Sequence, residues 1–145
     1  QPLPQVKPIY YMTLDLYRYF IGREDQSVNE ANMIKRVDQQ LRVTRIMMNA
    51  VDVYALPPEQ AKLRAYMLNY FSMMMAISSI FLTLDGSKEA LAKRRQLWDD
   101  LKAHDGHLYR RCRFSVAEGC NLPGWLGSKI SIGGYRIAQK IFKFN

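Results

Sequence analysis

Ile34, Val37, Leu41, Thr44, Met48 and Val51 recur at alternating steps of three and four, the repeat of a single helix face. Lys35, Arg36, Arg42 and Arg45 fall off that seam and read as a solvated face. Ser27 and Glu30 form an S-x-x-E box ahead of it. In such a box the hydroxyl and the carboxylate each accept from an amide that the first turn leaves orphaned, and a cap of this kind contributes about 1 kcal/mol. The pattern predicts a first helix over 28–54. Pro57-Pro58 ends it, since proline lacks an amide donor and suits only a first helical turn.

A second helix is predicted over 58–84. Its stretch 65–84, AYMLNYFSMMMAISSIFLTL, runs for twenty residues without a charge, long enough to span a bilayer. Asn69, Ser72, Ala76, Ser79 and Thr83, however, share one stripe at steps of three and four. A lone spanning helix has no use for that stripe, whereas a central bundle helix does. Met73-Met74-Met75 reads as pliable core filler. Asp85-Gly86-Ser87 is a turn, and Leu91, Leu97, Trp98 and Leu101 hold a third helix over 87–103. Asp105 caps a short helix over 106–114. Residues 119–128, GCNLPGWLGS, are rich in turn formers and read as a loop, after which Ser131 is expected to cap a last helix over 132–143. Upstream, residues 9–20, IYYMTLDLYRYF, read as two short strands or an extended arm. The sum is an all-α fold: an antiparallel helical bundle of three long helices, a short helix and a C-terminal amphipathic helix, with a short N-terminal extended or β arm.

Composition narrows this little. Of 145 residues 48% are hydrophobic, enough for a real core and too many for wholesale disorder. The opening QPLPQVKP is Pro-rich, without an initiator Met, and reads as linker at the start of a piece of a longer protein. It has no secretory leader pattern. Cys112 and Cys120 are eight residues apart, neither a CxxC pair nor a disulfide framework, and read as free thiols in a reducing compartment. His104 and His107 lack a Glu or Cys at ligand spacing, so no metal site is expected.

Charge changes the picture more. Of the net +8, +6 falls in residues 101–145, with 8 Lys or Arg against 2 Asp or Glu. In the last helix Arg136, Lys140 and Lys143 share one face, opposite Ile132, Tyr135, Ala138 and Phe142, with Ile137, Ile141 and Phe144 widening the apolar side. Trp125 and Lys129 lie just upstream. Trp125, Lys129, Arg136, Lys140 and Lys143 thus fit a helix resting on an anionic membrane surface. A helix that closes the bundle with its charges in water is the plainer alternative. Nucleic acid is not an expected partner: RRCRF has neither the spacing of an RNA-binding motif nor a helix-turn-helix context.

The junction LYRYFIGREDQSVNE is the other candidate. Arg18 and Arg23 flank the amide-lined start of a helix, where backbone donors and guanidinium groups suit a phosphate. Neutralisation of those arginines by Glu24 and Asp25 is the plainer alternative. The sequence carries no Gly-rich phosphate loop, Asp-x-Asp pair or nucleophile set, and Asp99-Asp100 reads as solvated helix face. A complete active site is not written in these residues.

Four segments nonetheless carry a resemblance: IYYMTLDLYRYFIGREDQSVNE at 9–30, IKRVDQQLRV at 34–43, Leu122-Pro123-Gly124, and KISIGGYRIAQKIFKFN at 129–145. Together they resemble the region that follows the catalytic core in bacterial family 2 glycosyltransferases, inverting nucleotide-sugar enzymes of GT-A fold. The likeness is dense over 9–50 and 121–145 and weak between. It implies that residues 1–27 end a transferase fold and that 28–145 form a helical accessory domain, without catalytic residues of its own. The catalytic half and its divalent metal would then lie upstream. It also implies Arg18, Tyr19, Arg23, Gln26 and Ser27 as contacts for nucleotide-sugar phosphates or acceptor in cell-surface polysaccharide synthesis. The implied partner is the upstream catalytic domain; apart from the resemblance, an arm cut from its sheet has exposed strand edges that can pair with a second copy or fold back on the helices. The implied location is the cytoplasm, peripheral at the inner face of the plasma membrane. A helical interaction or oligomerisation module that touches no substrate is the alternative.

Overall fold

A computed structural model describes residues 3–18 and 29–142. Seven helices occur among them: α1 (Glu30–Lys35), α2 (Val37–Met48), α3 (Ala61–Asp85), α4 (Lys88–His104), α5 (Gly106–Arg113), α6 (Val116–Gly119) and α7 (Gly124–Phe142). The chain is an all-α helical bundle.

Its centre is α3, which packs against each of the other six helices. The uncharged run is therefore long and apolar enough to cross a membrane yet is consumed by protein: Phe71, Met75, Ala76, Ile80, Phe81 and Leu82 are buried. The polar stripe is consumed with it. Thr44 Oγ1 and Ser78 Oγ lie 3.0 Å apart between α2 and α3. Trp98 Nε1 donates to Ser79 Oγ at 3.0 Å between α4 and α3. Small hydroxyl residues let the helices approach and give one another, and the Trp98 indole, hydrogen-bond partners. Of the predicted stripe, Asn69 alone is exposed, and it accepts from Arg111 Nη2 at 2.7 Å.

Direction follows from the cross-links. Asp38 meets Lys93 and Arg45 meets Asp100, so α2 and α4 run the same way. Thr83 meets Arg94 and Ser79 meets Trp98, so α3 runs against α4, as the tight turn at Gly86 (φ 68) requires. The seam of the first predicted helix does face inward: Val37, Leu41, Thr44 and Met48 are buried.

Three boundaries differ from expectation. The helix predicted over 28–54 is two helices, broken at Arg36, which closes α1 and opens α2. Steps of three and four continue across the break, so periodicity could not reveal it. Beyond Met48, Asp52 Oδ1 accepts from the amides of Tyr54 and Ala55, an Asx turn that outcompetes a further helical turn. The S-x-x-E box also gives way: Asn29 is the N-cap, its side chain accepting from the Ala31 amide at 3.0 Å, and the Glu30 carboxylate turns to α7 instead. Ser27 lies outside the described residues.

The third difference is the largest. The predicted loop over 119–128 holds the end of α6 and the first turns of α7, which starts at Gly124 (φ 72) rather than at residue 132. Ser131 does not cap. It sits inside α7, buried, and donates to the Gly119 carbonyl at 2.7 Å. In the arm no strand forms among the described residues: 6–18 have no regular secondary structure and are exposed, with a tight turn in which the Leu16 amide donates to the Leu14 carbonyl at 2.9 Å.

Candidate functional site

Two groups of residues were candidates, and the structure treats them differently. At the junction, Arg18 is described and exposed at the end of the arm. Tyr19, Arg23, Gln26 and Ser27 lie outside the described residues, so their convergence on a phosphate rests on sequence. Just past them, Asn29 and Glu30 begin α1.

Glu30 is the residue that sequence reasoning assigned to the wrong task. Arg136 grips it with both guanidinium nitrogens, Nη1 to Oε2 at 2.7 Å and Nη2 to Oε1 at 2.8 Å. Gln139 Nε2 also reaches Oε2 at 3.4 Å, and the Tyr135 phenol joins the same carboxylate. Gln139 in turn donates to Tyr135 Oη at 3.1 Å. The only hint in the sequence was the Y-R-x-x-Q spacing on α7, which puts all three groups on adjoining faces of one helix.

Partial burial alone would raise the Glu30 carboxyl. The hydrogen bonds from Arg136, Tyr135 and Gln139 and the Arg136 charge outweigh it and hold the carboxyl below its ordinary 4.5. Burial pushes Tyr135 up to about 12, and the adjoining carboxylate adds to it. A depressed carboxyl contributes stability that is present above 4.5 and lost as the pH falls from there through the folded value. Half of the Arg136 side chain is in water, so the contribution is about 1 kcal/mol or less. Glu30→Gln is therefore expected to lower the urea midpoint slightly at neutral pH. Its difference from the parent should shrink below pH 4.5, measured as paired urea melts across the acid range.

The basic helix is reassigned as well. Of the five residues expected to meet lipid, Trp125 is exposed, and Lys129 places its ammonium 4.1 Å from that ring's centroid. Lys140 is exposed with no acidic partner among the described residues. Arg136 is committed to Glu30, and Lys143 lies outside the described residues. The expected apolar face also divides. Tyr135 turns inward, its ring edge-on to Phe81 at 6.4 Å, and Ile132 and Ala138 are half-buried. Ile137 and Ile141 face outward, 61% and 67% exposed.

Elsewhere several charges are paired. A shallow groove between α2 and α4 is lined by Asp38, Arg42, Arg45 and Lys93, but Lys93 pairs with Asp38 and Glu89. Arg45 and Gln96 both bind Asp100, so Asp100 is an interhelical partner rather than plain solvated face. Arg94 is buried with no carboxylate in reach. It donates to Thr83 Oγ1 at 2.6 Å and, at 3.5 Å, to the Leu122 carbonyl, tying α4 to the end of α3 and to the turn before α7. The thiols are interior groups: burial pushes Cys112 up to about 11, against the hydrogen bond from Ser72, and raises Cys120. Both are free. His107 accepts from Arg110 at Nδ1 and leans on Tyr54. Among the described residues no three His, Cys, Asp or Glu side chains come together, so the divalent metal implied by the resemblance has no ligand set among them, and no chemistry is assigned to it. What the described residues offer is a braced helical body with one exposed, cation-edged helix. Comparison with family models, with curated proteins and with solved structures returns no match to this chain.

Proposed function

We propose that the chain is the non-catalytic C-terminal region of a family 2 glycosyltransferase, which transfers a sugar from a nucleotide-sugar donor to a cell-surface polysaccharide or lipid-linked acceptor. The observation that carries this reading is where its motif-bearing segments meet. The two dense stretches of resemblance lie at opposite ends of the chain, and Glu30 and Arg136, 106 positions apart, join them through a bidentate ion pair. Motifs that recur together at both ends have a physical reason to do so when each supplies half of one contact. In this reading α1 and α7 brace the base of the arm. Arg18 and the residues after it rim the donor or acceptor site of the catalytic domain, with Arg18 and Arg23 as phosphate grips.

The test uses the protein as its gene encodes it. Ahead of Gln1 the reading expects alternating strands and helices with an Asp-x-Asp pair. In that enzyme Arg18→Ala is expected to lower kcat/KM about tenfold or more, the loss of one charge-assisted hydrogen bond, with the urea midpoint unchanged because the side chain is exposed. Unchanged kinetics would favour a helical interaction module that touches no substrate. Sugar transfer by the 145-residue chain alone would overturn the reading.

A further inference from the structure

Helix α7 has two apolar faces, and the fold uses one. Gly127, Ser131 and Tyr135 turn inward, the first two buried and the third half-buried. Leu126, Ile130, Ile137 and Ile141, at steps of four, seven and four, form a second stripe about 110° round the helix from them, each between 56% and 67% exposed. A helix that merely closes a bundle needs one stripe. A second, running along both halves of the helix on either side of Gly133 and Gly134, marks a surface that is covered in use.

Charge says by what. From Gly124 to Phe142 there is no Asp or Glu. Lys129 and Lys140 lie along the edge where the apolar stripe meets solvent, with Trp125 at the helix start under the Lys129 ammonium. An aliphatic face edged by lysines, with a tryptophan at the boundary, matches a bilayer interface: acyl chains below, anionic headgroups at the rim. Two copies of α7 packed face to face would set lysine against lysine with no carboxylate on either helix to offset them.

We propose that α7 is a membrane-surface helix. Its Leu126, Ile130, Ile137 and Ile141 side chains enter the headgroup–acyl boundary of an anionic bilayer, while Trp125, Lys129 and Lys140 lie at headgroup level. The helix lies in the plane of the membrane and does not cross it, because its inner face stays on α3. This differs from the face expected from sequence: Ile132, Tyr135 and Ala138 belong to the protein, and Arg136 to Glu30. The inference stands on the exposure and charge of α7 alone and does not depend on the transferase reading.

The test is flotation of the full chain with vesicles of phosphatidylglycerol and phosphatidylcholine, against vesicles of phosphatidylcholine alone. Binding is expected to the anionic vesicles, weakened by salt, with a blue shift in emission that Trp125→Phe abolishes. Ile130→Glu with Ile137→Glu is expected to lower the partition coefficient about tenfold or more. Lys129→Gln and Lys140→Gln should each lower it about fivefold. All four side chains are exposed, so helicity and urea midpoint should hold, and these variants report on docking rather than folding. No binding to anionic vesicles, equal binding to both compositions, or undiminished binding by the double glutamate variant would overturn the proposal. So would a concentration-dependent dimer that the same double variant abolishes.

Discussion

Leu82→Ala is expected to destabilise the protein by about 2–5 kcal/mol, the range for deleting a wholly buried leucine side chain. Leu82 has no exposed surface and sits on α3, the helix that every other helix touches. A void there cannot be filled by the collapse of one neighbour without drawing that neighbour away from the rest, so the upper half of the range is expected. With a urea dependence of about 2 kcal/mol per molar, usual for a domain of this size, the midpoint should fall by about 1.8–2.5 M. Leu126→Ala is the matched control: Leu126 is 64% exposed, and its truncation should change stability by about 0.5 kcal/mol or less. If the two variants melt alike, α3 is not the centre of the fold.

Gly127→Ala should lower stability by about 1–3 kcal/mol, although alanine is the better helix former. A methyl group at Gly127 would lie 2.7 Å from the Leu122 carbonyl carbon and 2.9 Å from its Cβ and oxygen. Those are largely backbone atoms, which cannot give way as cheaply as the end of a flexible side chain. Helix propensity favours alanine over glycine by about 1 kcal/mol, and overpacking of this kind outweighs it. Gly133 and Gly134 lie in the same helix with nothing within 4 Å of a Cβ. There the propensity acts alone, and Gly133→Ala and Gly134→Ala should each stabilise by up to about 1 kcal/mol. The opposite signs, read from urea midpoints of the three variants, test whether α7 begins at Gly124 and docks through Gly127. A helix starting near residue 132 would leave Gly127 in a loop and the substitution close to neutral.

The candidate sites were legible to unequal degrees. That Trp125, Lys129 and Lys140 stand exposed on one helix agrees with their choice by local charge and composition, which survive folding; periodicity reached only Lys140, because the helix was expected to begin at residue 132. Arg136 was found as a cation and assigned to the wrong neighbour: a one-dimensional pattern gives its face on α7 and not the Glu30 carboxylate waiting 106 positions away. Glu30 was lost to the opposite error. A valid local motif, the capping box, accounted for it, and nothing in the local sequence showed that a bidentate partner would outcompete an amide. Arg94 carried no signal, since a buried arginine without an acid nearby follows no pattern of spacing.

By itself the sequence determined the helical class, the inward seam of α2, the burial of the long uncharged run in α3, the turn at Gly86, and the cap by Asp105 of α5. Each depends on which side chains lie within about four residues of one another, where periodicity and capping chemistry decide. Only the tertiary structure decided the break at Arg36, the start of α7 eight residues early and the division of that helix into an inner and an outer apolar face. Those depend on distant partners. Gly127, which counts against a helix in isolation, becomes a close packing point once the Leu122 backbone is laid against it, and an isoleucine is core or surface according to which side α3 approaches.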